Sequence, residues 1–111
     1  MNQLDVQSCI DACNRCADAC DHCAASCLRE EDMQMMAKCI ANDIDCAQVC
    51  RLAAAVMARA SIHASAFCRL CAQVCTACAE ECGKHRMDHC QRCAQACRDC
   101  AAACQKMGTA A

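Results

Sequence analysis

From Cys9 to Cys27 the apolar positions of this chain are cysteines spaced four, three, four, three and four residues apart. Residues three and four apart share one helical face, and the alternating step is the a/d seam of a heptad. The pattern predicts a helix carrying a stripe of thiols. The step returns at Cys68, Cys71, Cys75, Cys78 and Cys82, and again at Cys90, Cys93, Cys97, Cys100 and Cys104. A fourth segment holds Cys39, Cys46 and Cys50 on the same seam, with Asp43 at the position left over.

The predicted helices cover about 2–28, 33–59, 61–82 and 86–107. The charged run Arg29, Glu30, Glu31, Asp32 stops the first, and the Asp32 carboxylate suits a cap for the second. Ser61 offers the N-cap of the third, and Gly83 suits a left-handed residue that ends it. The tail from Gly108 to Ala111 reads as frayed. Connections this short force neighbouring helices antiparallel. The fold class is therefore all-α, a single domain over 1–111 built as an up-down-up-down four-helix bundle with a cysteine-lined core.

Antiparallel packing gives the sulfur tube two unlike ends. One gathers Leu4, Val56, Met57, Ile62, Phe67 and Met107 and reads as a plug; the other gathers Met33, Met35, Met36, His85, Met87 and His89 and reads as a mouth. Thioether and imidazole are ligands of soft or borderline metals. Outside the seam, the first and fourth helices are polar, through Asp11, Asn14, Asp18 and Asp21 on one and Gln91, Gln95, Arg98 and Asp99 on the other. The second and third instead carry Ile40, Ile44, Val49, Leu52, Phe67, Leu70, Val74 and Ala77, a second apolar stripe that predicts a homo-oligomer.

Composition sharpens this picture. Among 111 residues there are 19 cysteines, one phenylalanine, no tryptophan or tyrosine and no proline. A protonated thiol packs as a small apolar group but removes less apolar area from water than leucine does, so metal or self-association is expected to add stability. A net charge of −2 gives no basic footprint for nucleic acid, and no apolar run is long enough for a membrane span. The start MNQLDVQSC lacks a basic segment followed by an apolar one, which points to the cytoplasm. An odd cysteine count, two glycines and no proline argue against a loop-rich disulfide framework.

A core that needed only filling would use Ala, Leu or Val, which do not oxidise as thiols do. Metal binding is the stronger reading. Thiolates are soft donors that select Cu(I), Zn(II) or iron–sulfur clusters. Zinc favours paired knuckles at turns, although thiols facing one another across a bundle can also supply four donors. Ferredoxin-type ligation uses a loop ending in Cys-Pro, absent here. Cu(I) accepts two or three sulfurs, and the i, i+4 pairs Cys9/Cys13, Cys16/Cys20, Cys23/Cys27, Cys46/Cys50, Cys71/Cys75, Cys78/Cys82, Cys93/Cys97 and Cys100/Cys104 suit such a clasp. Many clasps on one tube imply storage.

The Cys-x-x-x-Cys steps on all four predicted helices, with a Met- and His-containing end, resemble the bacterial copper storage proteins, and the resemblance covers almost the whole chain. It implies a four-helix bundle whose core thiolates sequester many Cu(I) ions, assembly as a homotetramer, kinship with the cytosolic branch, and little or no catalysis. Family members can add an oxygen donor to the sulfurs, which makes Asp43 a candidate ligand; an unligated carboxylate that reaches solvent is the alternative. The departure is the second helix, with only three cysteines.

The metal-site candidates are thus all 19 cysteines, with Asp43, and with His85, His89, Met33, Met36 and Met87 as groups for capturing the incoming ion or, alternatively, for packing that end. His22 and His63 read as surface histidines. Partners are the copper ions, further copies of the chain and a copper chaperone. Two other functions stay open: a zinc or mixed-metal buffer resembling metallothionein, and a thiol redox protein. Against the latter, no Trp, Pro or βαβ pattern surrounds the Cys-x-x-Cys pairs. The chain shows no Ser-His-Asp set, phosphate loop or paired catalytic carboxylates, so no enzyme is expected.

Overall fold

In the computed structural model, which describes residues 2–109, four helices follow one another: α1 (Gln3–Cys27), α2 (Ala37–Ala58), α3 (Ala64–Cys82) and α4 (Asp88–Thr109). A 3-10 turn, Met33–Met36, leads into α2. Each helix packs on its two sequence-adjacent or terminal neighbours, α1 on α2 and α4, α3 on α2 and α4, which is the antiparallel four-helix arrangement. The rod measures 45 × 17 × 17 Å.

Local chemistry sets the ends. Asn2 caps α1 by accepting from Asp5 N–H at 2.8 Å, and Asp32 accepts from Met35 N–H at 3.3 Å to start the 3-10 turn. Ser61 does not cap a helix directly. Its hydroxyl accepts from His63 N–H at 3.1 Å, and α3 begins three residues later than its serine suggested, at Ala64. The reversal before it is made by Ala60, a non-glycine residue at φ 53°.

Gly83 is not left-handed: its φ is −63°. Glycine suits this site because of space, since a Cβ would meet Ala79 O at 2.9 Å and the Arg98 guanidinium at 3.4 Å. Helix α4 starts at Asp88, two residues later than the predicted start at about 86, and continues through Gly108 and Thr109, so the tail is helical to that point. Ala110 and Ala111 lie outside the described residues.

All 19 cysteines are buried. Alanines beside the seam, among them Ala17, Ala53 and Ala94, are also fully buried and let the helices approach closely. At the closed end Val56, Met57 and Met107 pack inside, but Leu4 is 81% exposed and Ile62 93% exposed. Leu4 falls out of step with the seam, which continues through Val6, and Ile62 stands in the turn ahead of the seam residue Ala64. The plug is therefore smaller than composition suggested.

Candidate metal centre

Because the four stripes converge, sulfur meets sulfur along the length of the rod. Within a helix, Sγ atoms of Cys23/Cys27 and Cys71/Cys75 stand 3.8 Å apart, those of Cys46/Cys50, Cys78/Cys82 and Cys100/Cys104 3.9 Å, and those of Cys16/Cys20 and Cys93/Cys97 4.0 Å. Between helices the separations are as short: Cys16 to Cys97 and Cys46 to Cys75 are both 3.6 Å. At the closed end Cys9 and Cys13 reach Cys104 at 3.8 and 3.6 Å.

The contacts join into four-sulfur groups whose ligand atoms all lie within 4.8 Å of one another: Cys13, Cys71, Cys100, Cys104; Cys16, Cys46, Cys50, Cys75; Cys16, Cys20, Cys46, Cys97; Cys20, Cys78, Cys93, Cys97; and Cys23, Cys27, Cys39, Cys90. Cys16, Cys20, Cys46 and Cys97 each belong to two of these groups. An ion bound in one group is thus already within reach of the next. Cys68, also fully buried, completes the seam near the closed end.

Asp43 is fully buried inside the tube. Its Oδ1 accepts sulfhydryl hydrogen bonds from Cys78 at 3.2 Å, Cys82 at 3.3 Å and Cys93 at 3.2 Å, and Cys39 approaches Oδ2 at 3.8 Å. Burial, the largest cause, pushes its carboxyl up to about 10. Without metal it is a neutral acid among thiols. With a cation alongside, the same carboxyl can lose its proton and offer an oxygen donor.

Burial pushes the Cys90 thiol up to about 11 and is the largest cause raising Cys27 as well. Deeper in, hydrogen bonds with Cys16 and Cys20 drive Cys97 upward. Metal must therefore displace protons from these sulfurs.

At the mouth the structure sorts the Met and His candidates. Met36 is buried in the core, and Met87 is half-buried against it. Met33 and Met35 lie off the seam and are 50% and 67% exposed. His89 faces inward, its Nδ1 at 3.6, 3.8 and 3.5 Å from the sulfurs of Cys23, Cys27 and Cys90. His85 is turned to Glu81, donating from Nε2 to Oε2 at 3.0 Å. His22 and His63 are exposed, the former beside Ser26 Oγ at 3.5 Å.

Two acidic residues at this end carry no signature in the cysteine pattern. Glu30, just after α1, accepts from His89 Nε2 at 3.1 Å. Glu81 is nearly buried and gathers His85, Lys84 at 3.5 Å and Lys38 at 3.9 Å. The i, i+4 spacing of Glu81 and His85 was a usable clue; nothing local marks Glu30, which lies 59 residues from its histidine.

Comparison with known proteins adds to this geometry. The family described as Csp, copper storage protein, matches residues 2–109. The solved structure of the Cu(I)-bound copper storage protein BsCsp3 superposes with a TM-score of 0.91 at 44% identity, covering 95% of this chain and 99% of that one. A cytosolic copper storage protein from Streptomyces lividans, solved during copper loading with five coppers, superposes with a TM-score of 0.92 at 42% identity, covering 96% and 94%. An uncharacterized cysteine-rich protein of Bacillus subtilis (strain 168), YhjQ, is 46% identical over 82 residues, 74% of this chain and 76% of that protein.

Proposed function

Since the chain belongs to the copper storage protein family, we propose that it sequesters multiple Cu(I) ions on its core thiolates as a cytosolic store, serving copper homeostasis or detoxification without catalytic turnover. The observation that carries this is the overlap of the sulfur groups: Cys16, Cys20, Cys46 and Cys97 each serve two of them, which suits many ions sharing ligands rather than one isolated centre. Copper in the BsCsp3 relative and the cytosolic description of the Streptomyces lividans relative support the metal and the compartment. Asp43, amid Cys39, Cys78, Cys82 and Cys93, supplies an oxygen donor where α2 lacks a sulfur.

The ion reaches the tube by the end where His89 meets three thiols, with Met36 and Met87 beside that end and Met33, Met35 and His85 around it. A copper chaperone docking at this end would deliver it. Challenge of the copper-loaded chain with stoichiometric Zn(II) under anaerobic conditions tests the reading. Retention of the copper supports the store; its displacement favours the zinc-buffer alternative.

We further propose self-association through α2 and α3. Ile44, Leu52 and Leu70 are 47%, 43% and 43% exposed on these helices, beside the half-buried Ile40, Val49, Phe67 and Val74. Such an apolar face suits burial against another copy, with a tetramer as the family resemblance implies. Light scattering should give a multiple of the 11.9 kDa chain mass, reduced by Leu52→Glu with Leu70→Glu; a single-chain mass at micromolar concentration contradicts it.

A further inference from the structure

The mouth contains a geometry that the rest of the tube does not need. The sulfurs of Cys23, Cys27 and Cys90 form a nearly equilateral triangle, with sides of 3.8, 3.9 and 3.9 Å. Over it stands His89 Nδ1, 3.6, 3.8 and 3.5 Å from the same three atoms. Six edges this similar describe a tetrahedron. A point at its centre lies about 2.3 Å from each corner, which matches Zn–S bonds and is slightly longer than Zn–N in four-coordinate zinc sites.

The histidine is already in the form a metal requires. Glu30 Oε1 lies 3.1 Å from Nε2 and, as a carboxylate, can only accept, so the ring proton is on Nε2 and the Nδ1 lone pair is directed at the sulfurs. A carboxylate behind a ligating imidazole is a recurrent outer-shell arrangement that fixes the ring and raises its basicity. Cys39 also lies within 4.8 Å of the three sulfurs. Its own closest sulfur, however, is Cys82 at 3.2 Å, and it approaches Asp43, so it belongs with the deeper group.

We propose that Cys23, Cys27, Cys90 and His89 form a binding site for one tetrahedral divalent cation of the zinc class, with Glu30 as the positioning residue behind His89. The three thiols release their protons to solvent as the dication binds, leaving one net negative charge at the centre. A deep group of four thiolates around the same ion would leave two, confined among apolar thiols and alanines, which disfavours a dication there. The bound ion ties the end of α1 to the start of α4 and covers the inner sulfurs. It is a separate property from copper storage, since Cu(I) needs only two or three of these donors.

The test uses Co(II) as an optical probe on the reduced, copper-free, full-length chain under anaerobic conditions. One equivalent should give the intense visible absorption of four-coordinate cobalt, and an equivalent of Zn(II) should bleach it. His89→Ala should shift the bands and weaken binding. Glu30→Ala, in the turn after α1, should keep the band pattern yet weaken zinc about tenfold to a hundredfold, and Glu30→Gln, which still accepts from Nε2–H, should recover much of that loss. His63→Ala, an exposed histidine in the α2–α3 turn, should leave the spectrum unchanged. Weak octahedral absorption, several equivalents bound alike, bands indifferent to His89→Ala, or a zinc affinity indifferent to Glu30→Ala would overturn the site. Counting Cu(I) on the same preparations separates the two readings: a full copper complement without tetrahedral cobalt defeats this site alone, and the reverse result defeats storage alone.

Discussion

Asp43 on α2 accepts a hydrogen bond from Cys93 on α4 at 3.2 Å, reaching across the diagonal of the bundle. It also takes sulfhydryl hydrogen bonds from Cys78 and Cys82 on α3, so one carboxyl ties two helices to a third. The position is where the thiol seam of α2 misses a beat.

That arrangement sets a pH dependence. The carboxyl moves from an ordinary 3.8 to about 10 on folding, so the folded chain holds a proton the unfolded chain has lost. Its contribution is complete below the unfolded value and disappears as pH rises through the folded one. Between about pH 5 and pH 8 this group should lower the stability of the metal-free chain by about 1.4 kcal/mol per pH unit. Asp43→Asn should flatten that slope in urea denaturation; the same slope in both chains would refute it.

Copper binding should weaken with acid for a different reason. Burial holds Cys27 and Cys90 protonated at neutral pH, so a copper–thiolate bond formed at either sulfur expels a proton. Competition with a chelator of known pH behaviour, together with proton release followed in weak buffer, checks this. Equal affinity from about pH 5 to pH 7.5 would contradict it.

Shared sulfurs should matter more than terminal ones. Cys97 belongs to two four-sulfur groups, whereas Cys9 meets Cys104 at 3.8 Å near the closed end. Cys97→Ala should therefore cost more than one copper per chain, and Cys9→Ala one at most. Equal losses, measured by copper and protein analysis after gel filtration, would argue for independent sites.

The α2–α3 turn offers a stability test free of metal. Ala60 sits at φ 53°, where a Cβ is strained by about 1–2 kcal/mol. Ala60→Gly relieves that strain but gains unfolded-state entropy, for a net stabilisation of about 0.5–1 kcal/mol. The thermal midpoint of the metal-free protein should rise by a few degrees; a fall would show that the turn is not strained.

How far the sequence carried depended on whether a residue's role was periodic. The three–four step placed Cys16, Cys46, Cys75 and Cys97 on facing stripes, and the structure brings them together. The skipped beat put Asp43 on the seam but left open a carboxylate that reaches solvent, and the structure buries it. End chemistry was harder to read. Leu4 and Ile62 are apolar but out of phase with the seam, so they face solvent, and Gly83 serves the close approach of Arg98 rather than a left-handed turn. Glu30 was illegible because its partner His89 is brought to it only by the packing of α1 against α4.

The most direct measurement is an anaerobic titration of the reduced, metal-free chain with Cu(I) against a competing chelator, counting the ions each chain retains. With 19 buried thiols in overlapping groups, about ten or more tightly held ions are predicted, roughly one per pair of sulfurs or better. One or two ions would contradict copper storage and leave the sulfur tube as packing.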